Sequence, residues 1–247
     1  MIREKLTFIK DNGQKIIGEA FIPDKTGKYP TVIFSHGFGS NYREFIHHGE
    51  GFNEEGLAVI FFDFCGGGLE SLSDGKMTEM TPLTEVEDLE CVLSETKKLP
   101  YVDCDRLSLQ GESMGGFVSA IVASEHPEIK SLVLWYPAFV IPDDSKKRFA
   151  AGENVCFGME LSPKFNTDTM DLDIYGIIAG YKGPVHIIHG DEDPVVPISY
   201  SYKAVEAYDD AKLTVIKGAG HGYGGEDSDF ARNTSIEFIM EATDYER

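Results

Sequence analysis

Apolar positions follow two spacings along this chain. In KLTFIKDNGQKIIGEAFIP, residues 5–23, alternating runs flank Asn12-Gly13. That dipeptide suits the positive φ angles of a tight hairpin turn, so the chain is expected to open with two antiparallel strands. Beyond it come apolar runs of parallel-strand type: TVIFSHG (31–37), LAVIFFDF (57–64), RLSLQG (106–111), SLVLWYP (131–137), PVHIIHG (184–190) and KLTVIKG (212–218). Strands apolar on both faces mark a parallel sheet covered on both sides, and the stretches between them read as crossover helices. In TPLTEVEDLECVLSETKKL (81–99), Leu83, Val86, Leu89 and Leu93 define one apolar helix face, and Thr81-Pro82 suits the cap and first turn. SIEFIMEATDYER (235–247) reads as a closing amphipathic helix. The class is α/β.

Residues 138–183 break the alternation where one short crossover would suffice. They are expected to form an inserted cap, either lining a pocket or folding over a small core of its own. With 247 residues and 42% hydrophobic content, the whole chain, 1–247, is expected to be one domain carrying that cap.

Charge narrows the partners. Twenty-two basic against forty-two acidic residues give a formal charge of −20, a surface that repels nucleic acid and anionic membranes. No apolar run has signal-peptide length or approaches the roughly 20 residues of a membrane span, so a cytoplasmic protein is expected. Cys65, Cys91, Cys104 and Cys156 form no C-x-x-C pair, and reduced thiols are the default. Nothing fixes the oligomeric state; a homodimer stays open.

Chemistry concentrates in LSLQGESMGGFVSA (107–120), an apolar strand that breaks at Gly111 and resumes as a small-residue helix. GESMG fits G-x-S-x-G, in which a sharp strand-to-helix turn lifts a serine, here Ser113, above the sheet. A serine hydroxyl needs an imidazole to take its proton. Of the seven histidines, His221 in KGAGHGYGG follows the last strand and has the position that this mechanism requires. A carboxylate must orient it, and IIHGDEDPVVP offers Asp191, Glu192 and Asp193. Asp193, before Pro194, is better placed to reach the His221 loop than Asp191, which directly follows the turn glycine. A metal site built on His186 and His189 is disfavoured, because strand positions three apart face opposite ways. Oxyanion donors are expected from the backbone N–H of Met114, at a helix start, and of Phe38 in HGFGS.

The order Ser113, Asp193, His221, together with HGFGS, FDFCGGGLES and GESMGG, resembles the α/β-hydrolase superfamily over nearly the whole chain. DFCGGGLES is similar to its D-x-x-G-x-G-x-S loop, in which Asp63 and Gly66 would be structural. The resemblance implies an α/β-hydrolase fold with a mostly parallel sheet of about eight strands, the triad at its C-terminal edge, a small-molecule ester as substrate and no cofactor. Within the superfamily the chain is similar to bacterial cinnamoyl (feruloyl) esterases, where a cap acid meets the phenolic hydroxyl; Asp143 or Asp144 matches that position. The same motifs serve short-chain carboxylesterases and monoacylglycerol lipases, and a hydrolase-fold binding module with little turnover is a further reading.

Overall fold

The computed structural model describes residues 1–24 and 26–244. Ten strands and eight α-helices follow one another among these residues. Strands β1 (Ile2–Ile9) and β2 (Lys15–Ile22) pair antiparallel, as the alternation predicts. Their connection is longer than an Asn-Gly dipeptide turn: Lys10 N–H donates to Gln14 O, Gly13 N–H donates to Lys10 O, and only Gly13 takes a positive φ. Next come β3 (Tyr29–Ser35), α1 (Gly49–Glu54), β4 (Ala58–Phe62), α2 (Pro82–Thr96), β5 (Val102–Glu112), α3 (Ser113–Glu125) and β6 (Ser131–Trp135).

The chain then leaves the sheet through α4 (Ile141–Ala151), a two-residue-stranded hairpin of β7 (Val155–Cys156) and β8 (Met159–Glu160), α5 (Phe165–Thr169) and α6 (Ile174–Ile178). It returns with β9 (Val185–Gly190), α7 (Ser199–Ala207), β10 (Ala211–Ile216) and α8 (Gly225–Ala242). The closing helix thus starts ten residues before the stretch that its apolar pattern marks, and positions 245–247 of that stretch lie outside the described residues.

Eight strands make one sheet in the order β1-β2-β4-β3-β5-β6-β9-β10, parallel from β4 to β10, with β2 antiparallel to both of its neighbours. Apolar clusters cover both faces. One gathers Ile33, Leu109, Phe117, Leu132 and Ile187; the other gathers Phe34, Phe61, Trp135, Ile188 and Phe238. The segment between β6 and β9 has no core of its own, because Phe139, Phe165, Ile174, Ile178 and Tyr181 join the first cluster.

Helix α2 departs from its apolar pattern. Thr81 caps it reciprocally with Thr84, and Pro82 opens it. Leu83 and Val86 are only half-buried, whereas the carboxylates Glu85 and Asp88 are fully buried. Asp88 is there for the loop after β4: it accepts from Cys65 N–H at 2.7 Å and from Lys10 Nζ at 2.5 Å. Among the described residues Glu85 has no hydrogen-bond partner on either oxygen, and burial together with neighbouring Asp88 pushes its carboxyl well above the usual range.

Candidate active site

The strand β5 ends at Glu112, and Ser113 turns the chain into α3 with φ +48°, a left-handed value that a non-glycine residue adopts only under constraint. The surrounding glycines make the turn possible. A Cβ on Gly115 would stand 2.4 Å from the carbonyl oxygens of Ser35 and His36, and one on Gly111 would stand 2.3 Å from Gly115 O. Backbone packs on backbone there, which brings the end of β3 beside the serine.

Ser113, His221 and Asp193 form one hydrogen-bonded series. His221 Nε2 lies 2.9 Å from Ser113 Oγ, and its Nδ1 lies 2.7 Å from Asp193 Oδ2. A carboxylate only accepts, so Nδ1 carries the proton and Nε2 is free to accept from the serine hydroxyl. Asp193 Oδ1 accepts from Val195 N–H at 2.8 Å and Val196 N–H at 2.9 Å. Burial alone pushes its carboxyl up, but the bonds from His189, His221 and Val196 outweigh that and hold it well below the usual carboxylate range. Asp191 is exposed and accepts from Gly218 N–H, bracing the loop before His221 without touching the ring.

Two supports lie outside the residues that the sequence motifs mark. His189, fully buried on β9, has Nε2 2.9 Å from Val196 O and 3.1 Å from Asp193 Oδ2. Both partners are acceptors, so Nε2 is protonated and Nδ1 accepts from Ser201 Oγ at 2.6 Å. His186 points to the other face, toward Thr214 and the Phe238 ring, as strand alternation requires.

The second support is Glu112. Its Oε1 accepts from Gly37 N–H at 2.9 Å and its Oε2 from the Tyr136 hydroxyl. Burial raises the Glu112 carboxyl, with these two bonds opposing the shift. The Tyr136 ring, at φ +37°, lies 4.7 Å from the His221 ring. One carboxyl thus ties the loop after β3, the serine turn and the end of β6 together.

The loop after β3 is held at every position but one. His36 Nδ1 donates to Gly37 O and its Nε2 accepts from Phe64 N–H at 3.1 Å, while Gly39 N–H donates to Gly67 O at 2.8 Å. Among the described residues no acceptor faces the Phe38 N–H. Met114 N–H, in the first turn of α3, has no helical acceptor either. Asp63 is distant in role from all of this: fully buried, it accepts from Tyr42 N–H and Leu72 N–H, both at 2.7 Å, and shapes the loop after β4. Gly66, at φ +69°, lies where a Cβ would meet Lys76 O at 2.5 Å, so both belong to the scaffold.

Two recesses meet at Ser113 and Phe38. The first is apolar, walled by Met114, Val140, Ile141, Val196 and Phe165, with Asp144 and Arg148 facing into it. Asp143 does not border it; its carboxylate accepts from the Tyr200 hydroxyl at 2.7 Å on the exposed side of α4. The β7–β8 hairpin overhangs this recess. Phe157 at its tip, φ +48°, has its ring 6.3 Å from that of Phe38, and Met159 covers Gly39. The second recess holds His221 and is more polar, with Ser40, Glu44, His47 and Tyr223. It also holds His48, whose pKa burial pushes down to about 3, so that ring is neutral. Among the described residues no three or more His, Cys, Asp or Glu side chains are arranged so that they could hold a metal ion, and no helix is long and apolar enough to cross a membrane.

A mostly parallel eight-stranded sheet with a serine on the turn after its central strand is the architecture of an α/β hydrolase. The chain belongs to the Hydrolase_4 family, described as serine aminopeptidase, S33, which matches residues 28–165. It is 24% identical to a monoacylglycerol lipase of Mycolicibacterium smegmatis, over 89% of this chain and 90% of the lipase. It is 30% identical to a caffeoylshikimate esterase of Arabidopsis thaliana, over 59% of this chain and 44% of that protein. Several of the curated relatives are matched over less than half of their own length. Among solved structures, Est1E from Butyrivibrio proteoclasticus with ferulic acid bound superposes with a TM-score of 0.87 at 26% identity, covering 97% of this chain and 100% of that one.

Proposed function

We propose that the protein is a serine carboxylic-ester hydrolase that works through an acyl-enzyme, with hydroxycinnamate esters as the preferred substrates. The observation that carries this reading is the uninterrupted series Ser113 Oγ, His221 Nε2, His221 Nδ1, Asp193 Oδ2 at the edge of an apolar recess.

The steps follow from the geometry. Ser113 Oγ attacks the ester carbonyl carbon as its proton passes to His221 Nε2. Asp193, ionised by its hydrogen bonds, stabilises the imidazolium that forms. The Phe38 and Met114 N–H groups receive the oxyanion. When the tetrahedral species collapses, His221 returns the proton to the departing alcohol, which therefore leaves through the recess that holds His221. The acyl group stays in the apolar recess that holds Met114, and water repeats the sequence to release the acid. Residues 138–183 act as the cap, because that segment, from Ala138 and Val140 through α4 and the hairpin to Phe165, supplies most of the walls around the acyl group. Asp144 is the acid that meets a phenolic hydroxyl.

The test is a fluorophosphonate probe followed by a substrate panel. Wild type should label on one serine, and Ser113→Ala should not label and should lose roughly 10³-fold or more in kcat while keeping its melting temperature. Methyl p-coumarate should be turned over faster than methyl cinnamate. Activity confined to short p-nitrophenyl esters or to monoacylglycerols would leave a general carboxylesterase or a monoacylglycerol lipase. An unlabelled wild-type serine would leave a binding module.

A further inference from the structure

The acyl recess has one wall that hydrophobic burial does not explain. On α4, Ile141, Asp144 and Arg148 recur at helical spacing and all face into it, so a cation and an anion stand in a cavity otherwise built from aliphatic and aromatic groups. Their circumstances differ. Asp144 already has a counterion, with Oδ1 2.9 Å from Lys147 Nζ. Arg148 has none: among the described residues no carboxylate lies within ion-pair distance of its guanidinium.

Arg148 is instead held by neutral acceptors. Its Nε donates to Asn166 Oδ1 at 3.0 Å and its Nη2 to Ser145 Oγ at 3.1 Å. Asn166 is buried and fixed in turn, its Nδ2 donating to Glu153 O at 2.9 Å. Thr169 Oγ1 donates to Phe165 O at 2.8 Å, so the buried Ser145 hydroxyl donates to Thr169 and accepts from Arg148. Its Cζ lies 5.5 Å from the centroid of the Phe165 ring, another wall of the recess. Two edges of the guanidinium are thereby committed and its plane is braced, while Nη1 has no protein partner among the described residues. A cation fixed this way, without a counterion and beside an apolar cavity, is preorganised for an oxygen that the ligand brings.

We infer that Arg148 is a specificity-determining residue of this recess, selecting acyl groups that carry an acceptor oxygen, a carboxylate above all and a phenol next, over acyl groups that end in hydrocarbon or in a cation. The inference rests on the esterase reading and extends it. Asp144 serves only groups that donate, whereas Arg148 serves groups that accept; a phenol satisfies both and a carboxylate satisfies Arg148 alone.

The experiment compares kcat/KM for four methyl esters of one shape: para-carboxycinnamate, p-coumarate, cinnamate and para-aminomethylcinnamate. Wild type should prefer the para-carboxy ester to the para-aminomethyl ester by roughly tenfold or more, the scale of one charge-assisted hydrogen bond gained or refused. Arg148→Met keeps much of the apolar stem and should bring the ratio of the para-carboxy to the para-aminomethyl ester to about one, whatever happens to the absolute rates. Arg148→Lys keeps the charge but not the fork, and should retain a smaller preference of the same sign. A flat wild-type series, or a preference that survives Arg148→Met, overturns the inference and leaves the esterase reading standing. If none of the four esters reacts and Ser113 takes no fluorophosphonate, the esterase reading falls and this inference falls with it.

Discussion

Asp193→Asn is the substitution whose outcome the structure fixes most tightly. Asp193 accepts two pairs of bonds, Val195 and Val196 N–H on Oδ1 and His221 Nδ1–H with His189 Nε2–H on Oδ2. An asparagine has one acceptor edge for these four donors. Turning its NH2 toward the backbone would orphan two N–H groups at about 1–3 kcal/mol each, so the carbonyl stays with Val195 and Val196 and the NH2 faces His221. His221 must then accept on Nδ1, which moves its proton to Nε2. That nitrogen would now donate to Ser113 Oγ instead of accepting from it, and the serine loses its base. The expected loss in kcat is about 10³- to 10⁴-fold at unchanged fold. Acid does not mimic the substitution near neutrality, because the hydrogen bonds keep Asp193 ionised far below that pH. Asp191→Asn keeps an acceptor for Gly218 N–H and should stay within about twofold of wild type. Steady-state hydrolysis of methyl p-coumarate by the two variants decides the matter. A Asp193→Asn enzyme within tenfold of wild type, or one less impaired than Asp191→Asn, would refute the assignment.

Two further substitutions probe the supports. Glu112→Ala orphans Gly37 N–H and frees the loop that carries Phe38, so kcat should fall roughly 10- to 100-fold with KM little changed, and Glu112→Gln, which still accepts from Gly37, should recover most of it; a pure KM effect would place the tie outside the reaction. Glu85 is held neutral in the fold but ionises in the unfolded chain near pH 4.3, so its contribution is fully present below that pH and erodes above it by about 1.4 kcal/mol per pH unit until its raised folded value is reached. Glu85→Gln should therefore melt close to wild type at pH 4 and increasingly above it toward pH 8, and a gap that does not change with pH would mean that Glu85 keeps its charge when folded.

The parts of the site that could be read from sequence are those whose chemistry is local. The serine turn announces itself because Gly111 and Gly115 are needed within a few residues of Ser113, and β3, β4 and β6 show as nearly uninterrupted apolar runs. His221 and Asp193 were legible because both follow strands that end on the same edge of the sheet. Glu112 was not, since its partners Gly37 and Tyr136 lie 75 and 24 residues away and nothing near it marks a buried tether. His189 enters the sequence reading only as a strand residue and a disfavoured metal ligand; a histidine inside so apolar a run, four residues before the acid, is the signal that the sequence offers. The β7–β8 hairpin depends on Phe157 at a positive φ, a conformation that side-chain propensity argues against. Helix α2 misled for a related reason: its buried face is chosen by the loop that Asp88 must cap, not by the apolar spacing of Leu83 and Val86. Arg148 carries no sequence signal, because what sets it apart is that no carboxylate among the described residues pairs with its guanidinium.

The groups proposed to handle the ester all follow the ends of parallel strands in one stretch of the sheet, β3-β5-β6-β9-β10: Phe38 after β3, Ser113 after β5, Asp193 after β9 and His221 after β10. Strand separation, about 4.8 Å across the sheet, is therefore the ruler that sets their spacing. The segment from Ala138 to Gly183 leaves and rejoins that ruler between β6 and β9 without supplying any of the four. On the proposed reading, reactivity and most of selectivity are thus written in different lengths of chain, and exchanging the second for a relative's equivalent would cut a new keyhole only if the core it shares with the sheet were refitted too.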